Sequence, residues 1–225
     1  MTVTEKIAHF LDWLEETQHP KKREVIERYE QLKAKSGCQI FPSFFTLLKK
    51  LKELNIRFVV LLRTYGRNLQ EVAEEIGKHP DGVVFTKYGK FSDGKLHLEN
   101  SKSLNSTKKI FNTFLHTQNH FAIQDNWPEW NSDDERARSG KPFIFDASGK
   151  MHGVKNLSLF FDDNYTAEEK DILTPIEVHG QTVSNTTIQN QLAFRVDPVE
   201  AILDNNYYIK LVTHALVQKG YGPLT

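Results

Sequence analysis

Four polar residues stand at places where an α/β chain does phosphate or metal chemistry. Asp162 and Asp163 follow the apolar pair Phe160–Phe161 and precede Asn164. Neighbouring side chains on a strand point to opposite faces. Where the strand ends and the chain turns, both carboxylates can approach one cation. Hard carboxylate oxygens with water completing the shell suit Mg²⁺, and Asn164 is a further oxygen donor. The plainer alternative is a turn with a helix cap, but Thr166 is the better cap for a following helix. Thr64 closely follows a second apolar run, Phe58–Leu62. Its hydroxyl can donate to a phosphate oxygen while Gly66 lets backbone N–H groups come close, with Arg63 and Arg67 adding positive charge. Lys141 precedes the apolar Pro142–Phe145, which anchors it better than Lys150 is anchored. A lysine there can neutralise a phosphate or the charge between carboxylates.

Composition narrows the chemistry. The 225 residues carry 29 Lys plus Arg and 29 Asp plus Glu, so no global field draws the chain to nucleic acid or an anionic membrane. Cys38 is the only cysteine, which excludes an internal disulfide and any cysteine-based metal site built within the chain. The nine histidines show no HExxH spacing, and there is no GxGxxG, GxxxxGK[ST] or GxSxG. No uninterrupted apolar stretch approaches membrane-spanning length. The N-terminus, MTVTEKIAHFLDWLEE, is an amphipathic segment of mixed charge and not a signal peptide. A cytoplasmic location is therefore expected, with the sequons at Asn105, Asn156, Asn164 and Asn185 as chance matches.

The elements that must position these residues follow from periodicity. Helices are predicted over Thr4–Thr17, Lys22–Ser36 and from Pro42 onward, each with an i, i+3, i+4 apolar stripe. The pattern then changes to the continuous run of Arg57–Gly66, as in a strand covered on both faces. Asn68 and Glu71 read as a capping box for a helix closed by Gly77. Gly82–Thr86 reads as a strand, Tyr88–Asn100 as a hairpin, Thr107–Leu115 as a helix and Phe121–Ile123 as a short strand. Trp127 and Trp130 flank Pro128 before a polar stretch. Lys155–Asn164 is the second core strand, a helix capped by Thr166 and Glu169 follows, and residues 192–196 give a third buried strand. Asp197, Pro198 and Glu200 form the clearest helix start, for a helix running through Tyr207 towards Leu216. No linker divides the chain, so residues 1–225 are expected to form one domain, with 1–40 a helical lead-in and 41–225 the core.

Thr64 after FVVLLR, Lys141 in GKPFIFD and Asp162–Asp163 in LSLFFDDN, taken in order, resemble the haloacid dehalogenase-like superfamily. That resemblance covers about residues 40–215. It implies a Rossmann-like parallel sheet flanked by helices, with the N-terminal helical region similar to part of a cap. It also implies Mg²⁺ as cofactor and phosphoryl chemistry on a phosphorylated small molecule. Thr64 would take the phosphate-binding role of the strand-end Thr or Ser. Lys141 would steady the phosphate, and Asp162 and Asp163 would hold the metal. The family's nucleophile is the first Asp of an Asp-x-Asp that precedes the Thr64 strand. Residues 1–56 contain only Asp12, within the first helix, so no catalytic nucleophile is found. Asp146 ends an apolar run but lacks a second aspartate two residues on.

Three functions are consistent with this pattern. One is a Mg²⁺- and phosphate-binding protein whose hydrolysis is lost or weak. Another is an active phosphomonoester hydrolase whose nucleophile lies outside this sequence. The third is a non-enzymatic interaction domain that keeps the fold. The segment Pro142–Asp146 is a candidate to occupy the place of the family's central strand.

Overall fold

The computed structural model describes residues 3–36, 40–126, 141–151, 153–168 and 171–224. The fold is mixed α/β, and its strands fall into several small ladders where one continuous parallel sheet was expected. Cys38, Gly37, Trp127, Trp130 and Glu169, for which the sequence gives expectations, lie outside the described residues.

The N-terminal helices are α1 (Val3–Glu16), α2 (Lys22–Ser36) and α3 (Pro42–Glu53), close to their predicted bounds. Leu14 of α1 and Val25 of α2 pack with Val199 and Ile202, so the helical lead-in rests on the C-terminal part of the chain. Proline at the first turn starts α3 without losing a needed N–H.

The four-stranded sheet has the order β1 (Leu61–Thr64), β4 (His120–Gln124), β2 (Phe85–Ser92), β3 (Lys95–Leu98). The ladders β1–β4 and β4–β2 are parallel, and β3 closes an antiparallel hairpin on β2. Asp93 and Gly94 both take positive φ at the hairpin turn, as Asp-Gly predicts. Helix α4 (Leu69–Lys78) and α3 cover one face: Phe45, Leu48, Leu69, Ala73 and Ile76 pack on Phe85 and Ala122. Helix α5 (Thr107–Leu115) covers the other, with Ile110 against Phe91, Phe121 and Ile123. This double cover explains why the β4 segment and the run into β1 read as continuous apolar stretches and not as alternation.

The local capping rules hold unevenly. Gly77 lies inside α4, which ends one residue later, and Asn68 makes no side-chain cap there. The Asn68 amide nitrogen is instead buried and unpartnered.

The remaining strands are β5 (Lys141–Phe145) parallel to β9 (Leu173–Glu177), the β6 (Lys150–Met151) and β7 (Val154–Lys155) hairpin, and β8 (Phe160–Asp162) parallel to β10 (Ala193–Arg195). The predicted strand Arg57–Gly66 is thus a ladder strand only over Leu61–Thr64, and the predicted strand Lys155–Asn164 is split, with Lys155 in the β6–β7 hairpin and Phe160–Asp162 in β8. β5 does not take a central place: it pairs with β9 and with neither β1 nor β8.

Thr166 caps no described helix. Its N–H and hydroxyl, and the Ala167 N–H, all donate to the Asp171 carboxylate, which fixes a loop instead. Helix α6 (Asn185–Ile188) is a single short turn. The C-terminal helix is two: α7 (Pro198–Leu203) and α8 (Tyr207–Gln218). Asp204 and Asn206 explain the break. The Asp204 carboxylate accepts the Asn206 N–H, an Asx turn that competes with helix continuation. The start at Asp197 is as predicted, its carboxylate accepting the Val199 and Glu200 N–H groups. No described helix is long and apolar enough to cross a membrane.

Candidate functional site

Lys141 opens β5, where its backbone N–H bonds to Ile172. The residue is only 5% exposed. Its ammonium reaches Asp162 Oδ2 at 2.7 Å, and both side chains are largely out of solvent. The rings of Tyr65 and Phe160 flank it, with centroids 5.3 and 5.9 Å from Nζ. Two strand ends therefore converge on one lysine, since Tyr65 directly follows β1 and Phe160 opens β8. Aromatic faces favour the cation and exclude water, so the amine is positioned rather than left to wander as a surface lysine would.

Both oxygens of Asp162 are used. Oδ2 accepts a hydrogen bond from the Lys141 ammonium and Oδ1 accepts the Asn164 N–H at 3.0 Å. Asp163 turns outward, and the Asn164 amide donates to its Oδ1 at 3.2 Å. Crowding by protein, and then the like charge of Asp162, hold the Asp163 carboxyl above its ordinary range, while Lys141 pulls the other way. The residue as a whole stays solvent-exposed, so the direction of this shift matters more than its size.

Thr64 ends β1 with its Oγ1 accepting the Gly66 N–H at 2.8 Å. That N–H is consequently not offered to a ligand, contrary to the role read for Gly66 from sequence. The Thr64 hydroxyl proton remains a donor. Arg63 is not a surface arginine. It is largely buried, paired with Asp125 and donating to the Pro142 carbonyl, and its guanidinium lies 4.7 Å from the Phe91 ring centroid. Arg67 is exposed beside a cleft of about 270 Å³ together with Lys90, Gln124 and Asp125.

Asp146 has a structural task. Burial works against its ionised form, but the Ser148 hydroxyl and N–H and the Asn156 amide all donate to it, and the net shift is downward. It pins the turn into β6 through these bonds.

Sequence reasoning missed Asp125 and Tyr65. Asp125 is 2% exposed and carries the charge opposite Arg63. The signal was present, for FAIQD is an apolar strand ending in an acid just as LSLFFDD is. Tyr65 gave none, because its ring is placed by Lys141, which is remote in sequence.

As for a metal, no group of three or more His, Cys, Asp or Glu side chains converges among the described residues. Mg²⁺ commonly takes one or two carboxylates plus waters and phosphate oxygens, so the pair Asp162–Asp163 fits it in number. The Lys141 ammonium on Asp162 makes Asp163 and Asn164 the more open ligands. The chain matches no protein-family model, and neither the curated proteins nor the solved structures contain a match to it.

Proposed function

We propose that the chain binds a phosphorylated small molecule together with Mg²⁺ at the end of β8, in the manner of a haloacid dehalogenase-like protein without effective hydrolysis. The observation that carries this reading is the buried Lys141–Asp162 pair beside the raised carboxyl of Asp163. Lys141 supplies a fixed positive charge for a phosphate oxygen. The Thr64 hydroxyl is the donor that the end of β1 can contribute. Asp163, with Asn164, contributes hard oxygen ligands to the cation, and Asp162 holds Lys141 in place. The sequence contains no Asp-x-Asp, so these residues bind and orient but offer no pair for nucleophilic attack and leaving-group protonation.

Calorimetric titration with Mg²⁺, alone and with inorganic phosphate, tests this. Asp163→Asn is expected to weaken Mg²⁺ binding at least about tenfold, the loss of one charged ligand. Lys141→Arg, which keeps the charge but displaces it, is expected to weaken phosphate binding while leaving Mg²⁺ binding nearly intact. Identical Mg²⁺ titrations of the parent protein and Asp163→Asn would overturn the assignment.

A further inference from the structure

The chain contains two Asp-Gly pairs, Asp81–Gly82 and Asp93–Gly94, and the fold treats them oppositely. An aspartate followed by glycine is prone to close on itself, because glycine has no side chain to keep its nitrogen away from the aspartate Cγ. Cyclisation swings the glycine nitrogen out of its native place and turns the aspartate carbonyl with it. Whatever holds that N–H and that carbonyl therefore holds the reaction back.

Asp81–Gly82 is held. The Gly82 N–H donates to the His79 carbonyl at 2.8 Å, and the Asp81 N–H to His79 Nδ1 at 3.1 Å. The Lys52 ammonium bridges both carbonyls of the pair, at 3.0 Å from Asp81 and 2.8 Å from Gly82. Gly82 is also packed so closely that an added Cβ would stand 1.8 Å from the Ile76 carbonyl oxygen. Asp93–Gly94 is the opposite case. It forms the two-residue loop between β2 and β3, with both residues exposed and φ at 51° and 67°. Neither the Gly94 N–H nor the Asp93 carbonyl has a hydrogen-bond partner among the described residues. Nothing lies within 4 Å of a Cβ built on Gly94. The loop is restrained through the Ser92–Lys95 pair beside it, and exposed loops of this kind open at the low end of the local free-energy range.

We propose that Asp93 is a site of spontaneous backbone modification, isomerising to isoaspartate through a succinimide formed with Gly94, and that Asp81 is protected from the same reaction. In the first step the Gly94 nitrogen bonds to Asp93 Cγ. One Cγ–O bond breaks, and that oxygen leaves as water with the amide proton and one proton from solvent. In the second step water adds to either carbonyl of the ring. Opening at the Asp93 backbone carbonyl leaves the chain running through Cγ, with one more methylene in the main chain and the former backbone carbonyl as a free carboxylate. The water lost in the first step is regained in the second, so no oxidant, reductant or cofactor takes part. A two-residue loop fixes the β2–β3 register, and a main chain one atom longer no longer closes it on Ser92 and Lys95. Ser92 lines the cleft of about 270 Å³ together with Lys90 and Phe91 of the same strand, so the modification falls on one wall of that cleft. This inference does not rest on the phosphate and Mg²⁺ reading of the β8 end.

The test is storage of the folded full chain in heavy-oxygen water at neutral pH and physiological temperature. Peptide mapping with electron-transfer fragmentation then tells isoaspartate from aspartate at each position. Asp93 is expected to gain heavy oxygen and isoaspartate at least about tenfold faster than Asp81, a difference made by the hydrogen bonds that must open around Gly82. In the urea-unfolded chain the two rates are expected to converge, because both aspartates precede glycine. Two variants read the same step through loss of ammonia in place of water. Asp93→Asn keeps a residue suited to the positive-φ loop and is expected to convert to aspartate and isoaspartate in the folded chain. Asp81→Asn is expected to convert at least about tenfold more slowly. Equal rates at the two positions in the folded chain overturn the proposal. So does faster conversion at position 81, or a folded Asp93 that takes up no heavy oxygen while the unfolded chain does.

Discussion

The Lys141 ammonium sits 2.7 Å from Asp162 Oδ2, joining the first residue of one ladder to the last residue of another, 21 positions along the chain. Two parallel pairs that share no strand are tied by this contact. Removing one partner leaves the other charge buried. Lys141→Met or Asp162→Leu alone is expected to cost about 3–5 kcal/mol of unfolding free energy. The double variant is expected to recover most of that loss, because two apolar groups need no charge partner. Urea denaturation of the three variants checks the cycle.

Asp163 stands beside Asp162 with its carboxyl pushed up, first by partial burial and then by the neighbouring charge. A carboxyl whose folded pKa lies above its unfolded value of 3.8 favours folding at low pH, and that contribution is lost as pH rises through the folded value. At neutral pH the ionised side chain therefore works against the fold. Asp163→Asn is expected to raise the urea midpoint at pH 7 and to have less effect at pH 3. Under the proposed function the same variant is expected to bind Mg²⁺ more weakly, which separates a ligand-binding role from a stabilising one.

Arg63 and Asp125 form a second buried pair, with Arg63 Nε and Asp125 Oδ2 each lacking a partner. The guanidinium also holds the Pro142 carbonyl, so its fork spans β4 and β5. Lysine has no fork. Arg63→Lys is expected to keep at most one of these contacts and to lower the melting temperature clearly, whereas Arg67→Lys, on the exposed side of the same turn, is expected to change it little.

His120 supplies the pH dependence of the β1 edge. Its Nδ1 accepts the Val60 N–H at 3.0 Å while Phe58 and Phe85 crowd the ring. Burial, and then Lys52, push its pKa below the ordinary 6.5. The neutral ring is the one that fits, so its contribution is complete above pH 6.5 and is lost as pH falls through the folded value. His79, stacked on Phe45, is shifted the same way, again mainly by burial. The unfolding free energy is expected to fall between pH 7 and pH 5.5, and to fall less in His120→Gln. A pH profile unchanged by that substitution would remove His120 from the explanation.

Periodicity and turn chemistry in the sequence determined most of the elements: the three N-terminal helices, α5, the Asp93–Gly94 hairpin turn and the Asp197 cap are local features whose residues lie within a turn of one another. The two strand ends at Thr64 and Asp162–Asp163 were legible for the same reason, as apolar runs that stop at polar groups. Only the tertiary structure decided what those ends do. Lys141 was one lysine among many until β5 carried it to Asp162, and Arg63 became a buried partner only through Asp125 on another strand. The failed helix cap at Thr166 and the break at Asp204 show the same limit, since carboxylates captured nearby N–H groups that the periodic pattern had assigned to helices. Strand pairing was the least legible feature, because hydrogen bonds between backbones carry no signature of which side chains flank them. The core strands were visible as sequence, but which strands they pair with appeared only once their neighbours were in place.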